Sequence, residues 1–226
     1  LDGDGDFDIV GGNLGLNHKF KASAEKAFNL YAGDFDQNGK TDIVLSQFQG
    51  KHNYPVRGRE CSSDQMPSIT QKFPTFGDFA IAEVDDIYGV GISDSLHLKV
   101  HSFASAAFIN DGNGNFERHN LPVESQVAPI MDFEPLDINS DGIIDLLCVG
   151  NFYDTEVETT RHDASYGQVL IGNGDGTFKA MPYSESGLFA PGNARNMIRL
   201  EYTSNKIPLY IIGNNSQPMQ VLQFAK

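Results

Sequence analysis

Apolar residues occur along this chain in short runs, each bounded by polar, glycine-rich stretches. The run Leu146-Leu147-Cys148-Val149-Gly150 is typical of a buried strand, and Ile43-Val44-Leu45 has the same character. The stretch 28–32 alternates between apolar and polar residues, and 103–110 also predicts a strand. The pattern therefore predicts an all-β fold built from short strands.

The pattern stops after Ser46, and residues 49–100 form an insertion in which we expect mainly helices and loops. The apolar spacing within 67–82 and 81–88 predicts one or two short helices. Such an insertion either covers an exposed strand edge or raises a binding surface above a scaffold. We expect packing together with some recognition.

Each of the two apolar runs follows a loop whose oxygen-bearing side chains recur at a fixed spacing. In 137–145 they occupy positions 1, 3, 5 and 9, with glycine at position 6, and 34–42 repeats this pattern. Residues 2–8 repeat it from position 3 onwards. A tight turn of this kind can wrap a hard cation, because alternate side chains point inward and glycine permits the sharp bend. The predicted calcium ligands are Asp2, Asp4, Asp8, Asp34, Asp36, Asn38, Asp42, Asp137, Asn139, Asp141 and Asp145, with Lys40 and Ile143 contributing backbone carbonyls.

Other interpretations of these loops are weaker. An EF-hand needs a glutamate at position 12, where this chain has Leu45 or Cys148. An Asp- and Gly-rich turn also forms without any ion, but three copies in one chain, each followed by an apolar strand, favour calcium.

The composition is that of a globular, acidic protein. The chain has 226 residues, 40% of them hydrophobic, which is compatible with one globular domain over 1–226. The net charge of −14 arises largely in the three loops and disfavours binding to nucleic acid. No apolar run is long enough to cross a bilayer. Because the first loop lacks position 1, we expect the chain to be a piece of a longer protein.

Several further features suggest chemistry, and each has a structural explanation. Cys148 is expected in the core and Cys61 in a polar loop, with a disulfide between them the less favoured alternative. The glycine-rich stretches 110–116 and 172–178 predict hairpin turns rather than phosphate loops, since no helix follows them. The spacing of His97 and His101 is not that of a zinc protease, and the residues around them favour a strand.

A fourth copy of the unit near the C-terminus has lost its acidic residues. Its loop positions fall on Leu200, Tyr202, Ser204, Asn205 and Pro208, so no ion is expected there. Units of strands and tight turns cannot each bury a face alone, and stacking them into the blades of a β-propeller is the usual solution. The length predicts a partial or few-bladed propeller.

These loops and the Asn-Asp-Gly-x-Gly-x-Phe hairpin resemble FG-GAP/VCBS repeats of integrin-alpha-type β-propellers. The insertion, the stretch 161–164 and the Asn214-Asn215 ending resemble VCBS-repeat surface proteins of Bacteroidetes type, whose relatives include ASPIC/UnbV and CRTAC-like proteins. The resemblance implies an extracytoplasmic, calcium-stabilised propeller that is secreted, on the cell surface or associated with an outer membrane. It would act in adhesion or in binding a protein or glycan ligand, with further blades in the parent chain.

We predict no catalytic residues, since no Gly-x-Ser-x-Gly elbow or cysteine–histidine signature is present. The alternative is that the chain is the propeller part of a secreted carbohydrate-active enzyme. That alternative would depend on Arg161, His162 and Asp163, which are more simply explained as a salt-bridged surface turn.

Overall fold

A computed structural model describes residues 1–201 and 207–224. The described chain is mainly β, with short helices between some of the strands. The strands are β1 (Ile9–Gly11), β2 (Phe28–Gly33), β3 (Asp42–Gln49), β4 (His52–Pro55), β5 (Leu96–Val100), β6 (Ala106–Asn110), β7 (Phe116–Asn120), β8 (Ile130–Leu136), β9 (Asp145–Gly150), β10 (Gln168–Gly172), β11 (Phe178–Ala180), β12 (Ala194–Leu200), β13 (Leu209–Asn214) and β14 (Gln220–Leu222).

The helices are short and lie mostly between β4 and β5. They are α1 (Arg59–Gln65), α2 (Ser68–Lys72), α3 (Phe76–Ala80), α4 (Val84–Tyr88) and α5 (Tyr183–Ser186), with 3₁₀ turns at Val90–Asp94 and Val123–Gln126. Capping boxes at Thr75 with Asp78 and at Glu83 with Asp86 begin α3 and α4. These local starts divide the region into several helices, where the apolar spacing alone predicts one or two.

The strands form four small antiparallel sheets. Sheet I has the order β1-β6-β7, sheet II β4-β3-β2-β5, sheet III β11-β10-β9-β8 and sheet IV β12-β13-β14. The chain divides into two compact units, one of residues 19–102 and the other of residues 1–18 with 103–226. In the sequence, residues 19–102 therefore lie between β1 and β6, which are neighbouring strands of sheet I.

The unit 19–102 consists of sheet II and the helices between β4 and β5. One face of the sheet packs on the helical segment, where Tyr31 and Val44 join Val84 and Ile92 in one core cluster. The helices have a core of their own around Met66, Ile69, Phe79, Ala82 and Ile87. The predicted insertion 49–100 therefore contains β4 and β5 as well as helices, and these two strands complete the sheet.

The opposite face of sheet II presents apolar side chains to solvent. Ile43, Leu96 and Leu98 are all exposed. Ala32 pairs with both Ile43 and Leu96, and Leu98 lies two residues after Leu96 on the same strand, so the three side chains lie on one face of the sheet. This sheet therefore has one covered face and one open apolar face.

The other unit stacks three sheets, with sheet III in the middle. Every residue of β9 is buried. Leu146 and Cys148 pack with Leu121 and Leu170, beside Val10 of sheet I. Leu147, Val149 and Val169 pack instead with Met197, Tyr210 and Ile212 of sheet IV. Alternation along one strand thus fills two separate cores, as expected for a strand between two layers.

The structure tests several local predictions, among them the two hairpins and the positions of the cysteines. The stretches 110–116 and 172–178 connect β6 to β7 and β10 to β11, so both hairpins are confirmed. Cys148 is buried in β9 as predicted, whereas Cys61 lies in α1 rather than in a loop, and neither cysteine is in a disulfide. His97 lies on β5, as predicted, and His101 follows that strand. Of the degenerate fourth loop, Tyr202, Ser204 and Asn205 lie outside the described residues.

Candidate metal centre

The loop 34–42 joins two neighbouring strands of sheet II. β2 ends at Gly33 and β3 begins at Asp42, and these two residues pair across the ladder. Gln37 and Gly39, at loop positions 4 and 6, have φ values of 60° and 82°. Two left-handed residues separated by one other allow the loop to fold back on itself within nine residues.

Carboxylate and amide oxygens hold this turn from inside. Asp34 accepts hydrogen bonds from the backbone N–H groups of Asn38 and Gly39, both at 2.9 Å. The side-chain oxygen of Asn38 accepts the Lys40 N–H at 2.8 Å, and Asp42 accepts the Phe35 N–H at 3.0 Å. The ligands predicted at positions 1, 5, 7 and 9 therefore belong to one hydrogen-bonded turn.

Three carboxylates converge in this loop. Asp34, Asp36 and Asp42 each offer an oxygen, and these oxygens lie within 4.8 Å of one another, close enough to bind one metal ion. No lysine or arginine in the described part of the chain forms an ion pair with any of the three. Negative charge is therefore concentrated here without a protein cation to balance it.

Asp42 is the buried member of the group. Burial raises the pKa of its carboxyl group, the Asp36 and Asp34 carboxylates raise it further, and the Phe35 N–H bond opposes them. A bound divalent cation would reverse the two charge effects by stabilising the ionised form.

The loop 137–145 repeats the same hydrogen-bond pattern between β8 and β9. Asp137 accepts from the N–H groups of Asp141 and Gly142 at 3.1 and 3.0 Å, and Asp145 accepts from Ile138 at 2.8 Å. Ser140 and Gly142 take the two left-handed positions, with φ values of 61° and 84°. The two loops therefore share one backbone conformation in different units of the protein.

The side chains of 137–145 are arranged differently. The Asn139 amide donates to the Asp141 carboxylate at 2.7 Å, which joins the side chains of positions 3 and 5 to each other. Among the described residues, a compact group of three acidic or other metal-binding side chains is found only in 34–42. The predicted ligands of 137–145 thus lie in one turn, but their carboxylates do not converge as closely.

The first loop, residues 2–8, keeps part of the pattern. Asp2 accepts the Asp4 N–H at 3.2 Å, and Asp4 accepts the Asp6 N–H at 3.0 Å. Asp8 accepts from the Leu1 amino group and from the Asn110 N–H. Both carboxylate oxygens of Asp6 are buried without a hydrogen-bond partner, and burial with the nearby Asp4 and Asp8 raises its pKa. The predicted ligand set omits Asp6, and the only sequence signal for it is a fourth aspartate in this stretch.

The closing aspartate has a structural role in addition to its predicted metal role. The second oxygen of Asp145 accepts the Gly172 N–H at 2.9 Å, and Asp8 makes the same bond to Asn110. Each bond connects the loop to the last residue of the strand that pairs with the strand following the loop, β10 beside β9 and β6 beside β1. In these two loops, position 9 therefore fixes the loop to the sheet by a bond that needs no ion.

Asn151 is a further residue with a structural role that no motif of the sequence indicates. It is fully buried with a φ of 90°, and its amide donates to the carbonyls of Ser165, Pro191 and Gly192 at 2.8–3.1 Å. Its oxygen accepts the Ser165 N–H at 3.0 Å. It thereby connects the end of β9 to the segment that leads into sheet IV. The only sequence signal is a Gly-Asn pair directly after an apolar strand.

The cluster considered for catalysis forms a packed turn. The Arg161 Nε lies 2.6 Å from the Asp163 carboxylate, and its guanidinium lies 4.7 Å from the centre of the Tyr153 ring. His162 is buried, and burial lowers its pKa. Arg161 and Asp163 thus pair with each other, while the imidazole between them packs inward.

The first and third loops lie near each other within their unit. A cavity of about 420 Å³ is lined by Asp2 and Gly3 of the first loop, by Gly142 and Ile143 of the third, and by Asn173 and Gly174 of a hairpin turn. Loops from sheets I and III therefore meet at the same end of the stack.

None of the helices that the structure describes is long and apolar enough to span a membrane. Comparison with protein-family models, with curated proteins and with solved structures finds no match for this chain.

Proposed function

We propose that this chain is a calcium-binding FG-GAP/VCBS-type repeat module of a cell-surface or secreted protein, acting in adhesion or in binding a protein or glycan. The observation that carries the proposal is the convergence of Asp34, Asp36 and Asp42 in a turn whose hydrogen bonds recur in 137–145. The same loop occurs twice, in different units, which supports a recurring element rather than an incidental bend.

Calcium is the cation that this loop suits best. All its candidate ligands are oxygens, from carboxylates, an amide and a backbone carbonyl, which hard cations prefer. Calcium accepts irregular arrangements of six to eight oxygens, whereas magnesium demands a near-octahedral set and keeps several waters. Cysteine and histidine, the usual ligands of zinc, are absent from the loop.

The propeller architecture is the larger-scale part of the proposal. It is supported by the stacking of sheets I, III and IV, by the meander order of sheet III, and by the meeting of two aspartate loops at one end of the stack. Blades of a propeller pack through both faces of each sheet, as β9 does. Further blades of a parent chain would then cover the open apolar face of sheet II.

Adhesion and an extracytoplasmic location rest on the resemblance of the repeats and on the expected affinity. Calcium sites of extracellular modules have dissociation constants of ~10⁻⁴–10⁻³ M, which only millimolar calcium fills. The helical segment between β4 and β5 adds a surface of its own beside sheet II and is the part we expect to contact a ligand.

Calcium titration by isothermal calorimetry tests the metal assignment. The wild type should bind calcium and, at millimolar calcium, gain about 0.4–1.4 kcal/mol of stability per site over the EDTA-treated protein. Asp36→Ala removes both a ligand and a charge from the group in 34–42 and should abolish calcium binding there, whereas asparagine would keep the kind of ligand that Asn139 provides at the same position of 137–145. Asp64→Ala, at an exposed residue of α1, is the matched control and should bind normally. Absence of binding heat together with unchanged melting in EDTA would show the proposal to be wrong.

A further inference from the structure

The unit 19–102 contains a cavity that the calcium loop does not explain. It has a volume of about 420 Å³ and lies between β4, the start of α1 and α3. Its lining includes Gln49, Tyr54, Arg57, Arg59, Phe76 and Phe79. We propose that this cavity binds an acidic saccharide, a pyranose carrying a carboxylate. The inference rests on the proposed ligand-binding function and names the ligand class.

Arg59 is the anchor of the site. Its Nε donates to the Phe73 carbonyl at 2.7 Å and its Nη2 to the Pro74 carbonyl at 3.2 Å. These bonds orient the guanidinium while using only part of its five N–H donors. No carboxylate in the described ranges forms an ion pair with Arg59. A positioned cation without a protein counter-ion, at the edge of a cavity, is suited to an anionic ligand.

The charge distribution of the chain makes this cavity distinctive. Residues 19–102 contain nine basic and eleven acidic residues, whereas the remaining residues contain seven basic and nineteen acidic. The chain carries −14 overall, yet Arg57 and Arg59 line one cavity and none of its lining residues is acidic. A carboxylate is the expected anion, because a planar guanidinium bonds both of its oxygens in a fork.

The remaining lining residues favour a sugar ring over an extended acidic peptide. Phe76 is 61% exposed, and the Arg59 guanidinium lies 5.3 Å from the centre of its ring. An aromatic face accepts the C–H face of a pyranose, while the Gln49 amide can bond ring hydroxyls. Small-ligand sites combine such apolar walls with a few polar groups, and their volumes of ~300–1,000 Å³ include this one.

Calorimetry with defined tetrasaccharides, in millimolar calcium, tests the inference. We expect a glucuronate- or galacturonate-containing tetrasaccharide to bind, and its carboxyl-reduced counterpart not to bind. Arg59→Gln should weaken binding about tenfold or more, the usual consequence of losing a charged hydrogen bond. Lys99→Gln, an exposed residue of β5, removes the same charge and should leave the affinity unchanged.

Two further measurements keep the result interpretable. If Arg59→Gln lowers the melting temperature, Phe76→Ala serves instead, since that side chain is largely exposed, and it should also weaken binding. No binding of either acidic tetrasaccharide, equal binding of the reduced one, or tighter binding of hexaglutamate would overturn the inference. A calcium titration on the same sample separates these outcomes from failure of the metal assignment, which concerns the aspartate loops and not this cavity.

Discussion

Sheets II and III carry the same aspartate loop at the same place, before their second strand, yet their surroundings differ. In sheet III the strand after the loop is buried between two other sheets. In sheet II one face packs on helices and the other is open and apolar. The loop conformation is therefore a local property of nine residues, whereas burial of the strand depends on what packs beside it.

The largest expected difference concerns the residue directly after the closing aspartate. Leu146 in sheet III is 2% exposed, whereas Ile43 at the same position of sheet II is 45% exposed. Leu146→Ala should cost about 2–5 kcal/mol through lost burial and a cavity, and Ile43→Ala less than about 1 kcal/mol. Urea denaturation measures both. A similar cost at the two positions would mean that the open face of sheet II is covered in solution.

The next effect isolates the connection between sheets III and IV. Asn151→Ala should cost about 2–4 kcal/mol, because three carbonyls and one N–H lose their partner inside the protein. Asn151→Gly separates this from backbone strain, since glycine tolerates a φ of 90° but restores none of the bonds. In urea denaturation, both variants should have a free energy of unfolding well below that of the wild type. Full recovery with glycine would assign the effect to strain alone.

In EDTA, replacing the closing aspartate by asparagine should change the stability of the protein in opposite directions at Asp145 and at Asp42. Asp145 uses both oxygens to accept N–H bonds, so Asp145→Asn turns an NH₂ group towards a donor and should cost about 1–3 kcal/mol. Asp42→Asn keeps an acceptor for the Phe35 N–H and removes a charge that burial and two carboxylates disfavour. In EDTA it should melt at or above the wild-type temperature at pH 7.

The pH dependence of that difference has a definite sign. The pKa of Asp42 is raised in the folded protein, so its protonated form favours folding, and this contribution is lost as pH rises through the raised value. The advantage of Asp42→Asn in EDTA should therefore be absent near about pH 4 and grow towards about pH 7. Thermal melting across this range measures it. A constant difference would show that the carboxyl group titrates normally.

Much of this comparison was accessible from sequence because its signals are local. Loop positions, hairpin turns and the apolar strands 43–45 and 146–150 follow from residue types a few positions apart. Long-range pairing was not accessible. β4 and β5 join sheet II from inside the predicted insertion. β1 pairs with β6, although residues 19–102 separate the two strands in the sequence. Buried contacts such as those of Asn151 also need the fold before they can be seen.

The smallest expected effect tests whether the two loops are equivalent. Gln37 and Ser140 occupy position 4 with φ values of 60° and 61°, a conformation that costs most residues about 1–2 kcal/mol. Glycine removes that strain but increases the freedom of the unfolded chain, so Gln37→Gly and Ser140→Gly should each change stability by less than about 1 kcal/mol. Because both positions have the same backbone and loop hydrogen bonds, the two changes should agree in sign and size in EDTA. Opposite signs, measured by urea denaturation, would mean that the surrounding sheets, and not the nine residues alone, determine the loop.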